Sequence, residues 1–171
     1  LNVAADDMLV GNPEAKVTVI EYYSPTCAHC RMYHRWTYPL LKEKYIDTGL
    51  VAYVTREFVG SKQDMDAALL IRCKGDLDTY LKLHKILLDK QSQWAYNRNF
   101  RDILTNIGQV GGIEPEEYAA CLSNQDKVNV LMANTKLIYD MPDFGGTPSF
   151  FINQQRHKKP YSFEELSKAL D

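Results

Sequence analysis

The rhythm of apolar and polar positions changes twice along this chain. Val17-Thr18-Val19-Ile20-Glu21-Tyr22-Tyr23 is a β-branched and aromatic run of strand length, and Ser24-Pro25-Thr26 breaks it. Met32, Trp36 and Leu40 then recur at i, i+4 and i+8, which predicts an amphipathic helix opening at Cys27. A second strand is expected over Leu50–Val59, after the turn residues Thr48-Gly49. Strand signals then stop for about eighty residues, and helical spacing runs over 64–73, 77–88, 100–110, 115–122 and 125–139. The clearest stripe is Phe100, Ile103, Leu104 and Ile107, ended by Gly111-Gly112; Pro115-Glu116-Glu117 is a good helix start. Strand character returns in Pro148-Ser149-Phe150-Phe151-Ile152, and Ser162-Phe163-Glu164-Glu165 opens a last helix with a capping-box pattern.

A β-rich start, a helical block and a closing hairpin with its helix predict an α/β fold interrupted by a helical insertion. The expected boundaries are 1–61 for the first part, 62–140 for the inserted helical subdomain and 141–171 for the second part. At 171 residues and 45% hydrophobic, the chain can bury a proper core. A net charge of -2 gives no electrostatic case for nucleic acid or an anionic membrane. The basic run Arg156-His157-Lys158-Lys159 reads as a solvated loop. No apolar stretch approaches the roughly 18 residues of a membrane span. The chain begins at Leu1 and not at methionine, as expected if an N-terminal segment has been removed.

Cys27-Ala28-His29-Cys30 carries the chemistry. A CxxC between a strand and a helix is the context of a thioredoxin-like redox motif, which predicts a thioredoxin fold with an inserted helical subdomain. A helix start presents unpaired N–H groups and the positive end of the macrodipole, so a cysteine there is favoured as thiolate. Cys27 is therefore the expected nucleophile and Cys30 the resolving thiol, with His29 as a donor or positive charge beside the sulfur. A fall of about four pKa units from the free-thiol value would stabilise the reduced form by roughly 5 kcal/mol, or about 100 mV. That stabilisation is lost as pH falls through the depressed pKa, so the disulfide becomes a weaker oxidant in acid. A second signal lies in Gly145-Gly146-Thr147-Pro148. Pro148 must begin its strand, and beside a CxxC a cis Thr147-Pro148 bond is expected, with the Thr147 backbone able to pair with an extended peptide.

Together the segment Val19 to Cys30, the helical insertion and Gly146-Thr147-Pro148-Ser149-Phe150 resemble the DsbA family of bacterial thiol:disulfide oxidoreductases over nearly the whole chain. The low cysteine pKa and oxidising potential of that family are among its known properties. The resemblance implies a periplasmic dithiol oxidase, exported by a signal segment that this chain does not contain. It would need no cofactor or metal, act on unfolded or newly translocated cysteine-containing proteins, and be reoxidised by a DsbB-like membrane partner. Glu21 matches a buried acidic residue six positions before the first cysteine, a proton relay for Cys30; the lesser alternative is a strand-edge glutamate in solvent. Ala28 stands where the best-known members have proline, and Thr147 where strongly oxidising members often have valine.

Other functions stay open at this point. The same fold serves disulfide reductases and isomerases, although a dimer-forming domain of the isomerase kind has no room here and a monomer is expected. A different class is a zinc-binding or structural CxxC protein, since Cys27, Cys30 and His34 give a C-x2-C-x3-H spacing. His84 reads as a packing residue, Trp36 and Trp94 as core or groove lining. The turn Asn153-Gln154 lacks the glycine of a tight hairpin. Of the three pairings four cysteines allow, only Cys73 with Cys121 leaves the CxxC able to cycle, so a second, structural disulfide is expected to pin two helices of the insertion.

Overall fold

The computed structural model describes all 171 residues. Its strands are β1 (Met8–Val10), β2 (Val17–Tyr23), β3 (Val51–Glu57), β4 (Ser149–Ile152) and β5 (Gln155–Arg156), in one sheet of order β1-β3-β2-β4-β5. The helices are α1 (Ala28–Trp36), α2 (Tyr38–Leu41), α3 (Lys62–Ile71), α4 (Leu77–Asp89), α5 (Gln91–Trp94), α6 (Phe100–Val110), α7 (Pro115–Leu122), α8 (Gln125–Tyr139) and α9 (Phe163–Leu170). A π-helical turn, Lys42–Ile46, follows α2. The elements divide into a sheet unit, 1–23, 29–56 and 145–171, and a helical unit, 24–28 and 57–144. The helical unit thus begins a few residues earlier than 62, ends later than 140, and includes the turn before the CxxC.

In the sheet unit β1 pairs antiparallel with β3, and β4 pairs antiparallel with both β2 and β5. β2 is the middle strand, so its last five residues are all buried, Glu21 included. The core gathers Val19, Tyr33, Tyr45, Val51, Tyr53 and Phe150, closed by Leu166 of α9. That last helix starts where its pattern predicts, with the Ser162 side chain accepting from the Glu165 N–H, one half of the expected capping box; the full box forms instead at α7, between Glu114 and Glu117. The hairpin turn is made without glycine: Asn153 (φ 47°) and Gln154 (φ 72°) both take left-handed backbone. Asn153 compensates, its Oδ1 accepting from Thr18 N at 2.8 Å and its own N–H donating to Thr18 O at 2.9 Å. Here β2 holds the turn that pure hairpin chemistry would not.

The helical unit is built on α3, whose residues 67–71 are all buried, so it packs against α4, α6, α7 and α8. Ser61 caps it, accepting from the Asp64 N–H. A Cβ on Gly111 would lie 2.4 Å from Leu83 Cδ2, so this glycine sets how closely the end of α6 approaches α4. Cys73 and Cys121 are joined in a disulfide, Cα to Cα 5.6 Å, tying the segment after α3 to α7. No helix is long and apolar enough to cross a membrane.

Candidate active site

The chain leaves β2 through a turn closed by Cys27 N–H to Ser24 O at 3.0 Å and enters α1 at Ala28. The helix therefore starts one residue later than the sequence suggests, which puts Cys27 just before it, where the first N–H groups of a helix have no partners within it. Cys27 and Cys30 are both thiols, the first half-buried, the second completely buried. His29 between them is exposed.

The buried residues of α1 are Cys30 and Tyr33, and the helix ends at Trp36, so the single amphipathic helix expected through Met32, Trp36 and Leu40 is broken at Thr37 and Leu40 falls in α2. Those three are 54%, 67% and 46% exposed. The spacing is real, but the helix is turned so that its tyrosine and cysteine meet the sheet and its larger apolar side chains meet solvent. Met32 and Trp36 line a groove with His29, Pro160 and Tyr161. Trp36 is groove lining, with the Arg35 guanidinium 5.9 Å from its ring centre; Trp94 is core, its indole N–H donating to Leu87 O at 2.9 Å. His84 is buried and stacked on Tyr80.

Glu21 is not a solvent-facing glutamate. Its carboxylate has no exposed surface; Oε1 accepts from Tyr53 Oη at 2.7 Å, and Oε2 lies 2.8 Å from His34 Nε2. Since Tyr53 gives its proton to Glu21, Tyr33, 2.6 Å away, must donate to Tyr53. Burial, and then the charge of Glu21, push both phenols well above the ordinary tyrosine range. The imidazole of His34 is 9% exposed, so it joins the buried carboxylate to the rim of the unit. It stands four residues after Cys30, on the same face of α1.

Neither His34 nor Tyr53 is assigned to this network by the sequence. The i+4 spacing from Cys30 is the one signal that picks out His34; nothing local marks Tyr53. The zinc spacing has no counterpart, since His34 turns to Glu21 and no three His, Cys, Asp or Glu side chains gather as a metal site.

The Thr147-Pro148 peptide is cis, and Pro148 leads directly into β4. Gly146 before it has φ 108°, backbone that side chains rarely adopt. Ser149 Oγ donates to the Gly146 carbonyl and closes the bend. Thr147 is half-buried, and Pro148 is buried.

The chain is similar in sequence and fold to known proteins. The family model described as Thioredoxin matches residues 4–171. Rickettsia prowazekii and Rickettsia typhi each have a relative with the provisional name protein-disulfide oxidoreductase. These are 52% identical over 167 residues and 50% identical over 166 residues. Each alignment takes in 97% of this chain but 61% of the relative, so the chain spans about three fifths of their length. The crystal structure of Wolbachia pipientis alpha-DsbA1 superposes with a TM-score of 0.90 at 26% identity, covering 100% of this chain and 92% of that one. Bacillus subtilis BdbD, at 21% identity, has the same fold, with a TM-score of 0.84 over 96% of this chain and 91% of its own. With a matching model over nearly every residue and these structural neighbours, the chain belongs to the thioredoxin family and has the fold of the DsbA proteins.

Proposed function

We propose that this chain is a thiol:disulfide oxidoreductase that donates a Cys27–Cys30 disulfide to exported proteins. The observation that carries this reading is the division of the motif into a half-buried thiol just before a helix and a fully buried one inside it. A substrate thiolate attacks the Cys27 sulfur of the oxidised protein; a substrate–Cys27 bond forms, the Cys27–Cys30 bond breaks, and Cys30 leaves as a thiolate. A second substrate thiolate then attacks the substrate sulfur and releases Cys27. The substrate loses two electrons, and the CxxC gains them.

A fully buried thiolate is costly unless it takes a proton. Cys30, Glu21 and His34 form the path we assign to that proton, with Tyr53 and Tyr33 holding the carboxylate in place. His34 exchanges protons with the medium, and Glu21 passes them to and from Cys30. The exposed Met32 and Trp36 suit an unfolded polypeptide, whose apolar side chains are not yet buried. The Thr147 backbone serves as the edge against which its extended chain pairs. The working location is the periplasm, the reoxidant a DsbB-like membrane protein, and the working state a monomer. Threonine before the cis-proline favours a second reading, a reductase or isomerase on the same site, because it stands where strongly oxidising members often have valine.

The deciding measurement is the equilibrium of the Cys27/Cys30 pair with glutathione, alongside oxidation of a reduced two-cysteine peptide. A couple that holds its disulfide less tightly than glutathione does, with rapid peptide oxidation, is the expected result. A strongly reducing couple transfers the assignment to the reductase, and no exchange with Cys27 intact ends both readings.

A further inference from the structure

The turn that delivers Cys27 is tied down within the helical unit, to which it belongs, at almost every polar atom. Gln91, the first residue of α5 and 5% exposed, gives both amide hydrogens to it: Nε2 donates to Pro25 O at 2.8 Å and to Cys27 O at 2.9 Å. The carbonyl between them, Thr26 O, accepts from Tyr96 Oη at 3.3 Å. On the other side the Asp64 carboxylate of α3, 2% exposed, accepts from Thr26 N at 3.0 Å, Thr26 Oγ1 at 2.9 Å and Ser24 Oγ at 2.9 Å. Its second oxygen takes Gly60 N at 3.0 Å and shares the Ser24 hydroxyl at 2.9 Å. The donors match an acceptor-only group.

Ser24 and Pro25 are buried and Thr26 and Cys27 partly so, which means the polar atoms of the turn need protein partners, yet so many fixed partners on four residues are far more than a turn needs to form. The sulfur they precede must keep its place at the helix start while its covalent partner changes. We propose that Gln91 and Asp64 are positioning residues for Cys27, which hold Ser24 to Cys27 so that the sulfur faces the first N–H groups of α1. The proposal rests on Cys27 being the nucleophile, as assigned above. The two differ in charge. Gln91 works by geometry alone, whereas Asp64 also places a carboxylate on the N–H adjoining Cys27 and so opposes the thiolate. The titratable groups around the turn are Asp64 from α3, Tyr96 after α5 and His29 in the motif itself.

The test is the midpoint of Cys27 thiolate formation, followed by ultraviolet absorbance on the folded protein with each variant's melting curve beside it. This midpoint exists whether or not the protein turns over, so it is independent of the glutathione equilibrium that decides the functional reading. Gln91→Met keeps the bulk and removes both donors; the expected rise is about half to one unit, a threefold to tenfold lower thiolate fraction below the midpoint, the scale of one capping interaction. Tyr96→Phe, at an 85% exposed residue that the fold does not depend on, should shift it the same way by less. Asp64→Asn should move it down relative to Gln91→Met, because a charge is removed along with the contacts. A midpoint unchanged in folded Gln91→Met, or in Tyr96→Phe should the first variant not fold, overturns the proposal. So does a rise in Asp64→Asn as large as that in Gln91→Met, which would mean general loosening of the turn.

Discussion

Replacing Cys73 and Cys121 together by serine removes the one cross-link of the helical unit and leaves Cys27 and Cys30 untouched. The two residues are 48 apart in sequence, and the bond closes a loop of that size in the unfolded chain. Chain entropy gives about 14 cal/mol/K for such a loop, or about 4 kcal/mol at room temperature. An unfolding entropy of roughly 2.1 cal/mol/K per residue amounts to roughly 360 cal/mol/K for this length, so the loss corresponds to about 11 °C in melting temperature. Calorimetry of the parent and the double serine variant, with CxxC oxidation state matched, checks the number. Peptide oxidation run in parallel should persist, because neither cysteine belongs to the assigned electron path. A melting temperature that does not fall refutes the chain-entropy reasoning. A folded variant with no activity shows that the second pair takes part in electron transfer.

Three shorter predictions concern the site. His29→Ala should raise the Cys27 thiolate midpoint from a value below the free-thiol range near 8.5, and a parent midpoint at about 8.5 would remove the basis of the oxidase assignment. Thr147→Val should shift the equilibrium with glutathione by taking away a hydroxyl, and Pro148→Ala should accumulate mixed disulfides through Cys27 on non-reducing gels; no shift and no trapping would separate this loop from the chemistry. Tyr33 and Tyr53 stay protonated in the folded protein beyond the ordinary phenol range, so above about pH 10 the folded state binds more protons than the unfolded one and stability must fall as pH rises. Denaturant midpoints measured across that range should decline as phenolate absorbance stays below the full tyrosine count, and a flat stability would contradict it.

Much of the architecture is legible because it rests on local pattern. β2, the β4 strand and the helices α6, α7 and α8 follow directly from runs and periods, and the capped start of α9 from Ser162 and Glu165. The phase of α1 is not legible: the pairs Met32-Trp36 and Cys30-Tyr33 are both compatible with its period, and apolarity favours the wrong one; nor does the pattern show the break at Thr37 that puts Leu40 in α2. β3 hides its meaning differently. All seven of its residues are buried, so no alternation marks Tyr53 as the one that reaches Glu21. That contact depends on β3 and β2 being neighbours, a property of strand order and not of either segment. The clamp on Cys27 is illegible for the same reason, since Asp64 and Gln91 each look like ordinary polar positions near helix starts.

The outer strands of the sheet have a bearing on solubility. β1 contributes three residues at one side and β5 two at the other, so each edge offers very few open backbone donors and acceptors. A foreign strand docking there gains too few ladder bonds to persist. A protein that meets unfolded chains in its work, as proposed, is surrounded by segments eager to add to any sheet, and fibril growth by strand addition is its particular hazard. On the proposed function, truncated edges would let it meet such chains at the groove beside Trp36 without being polymerised by them.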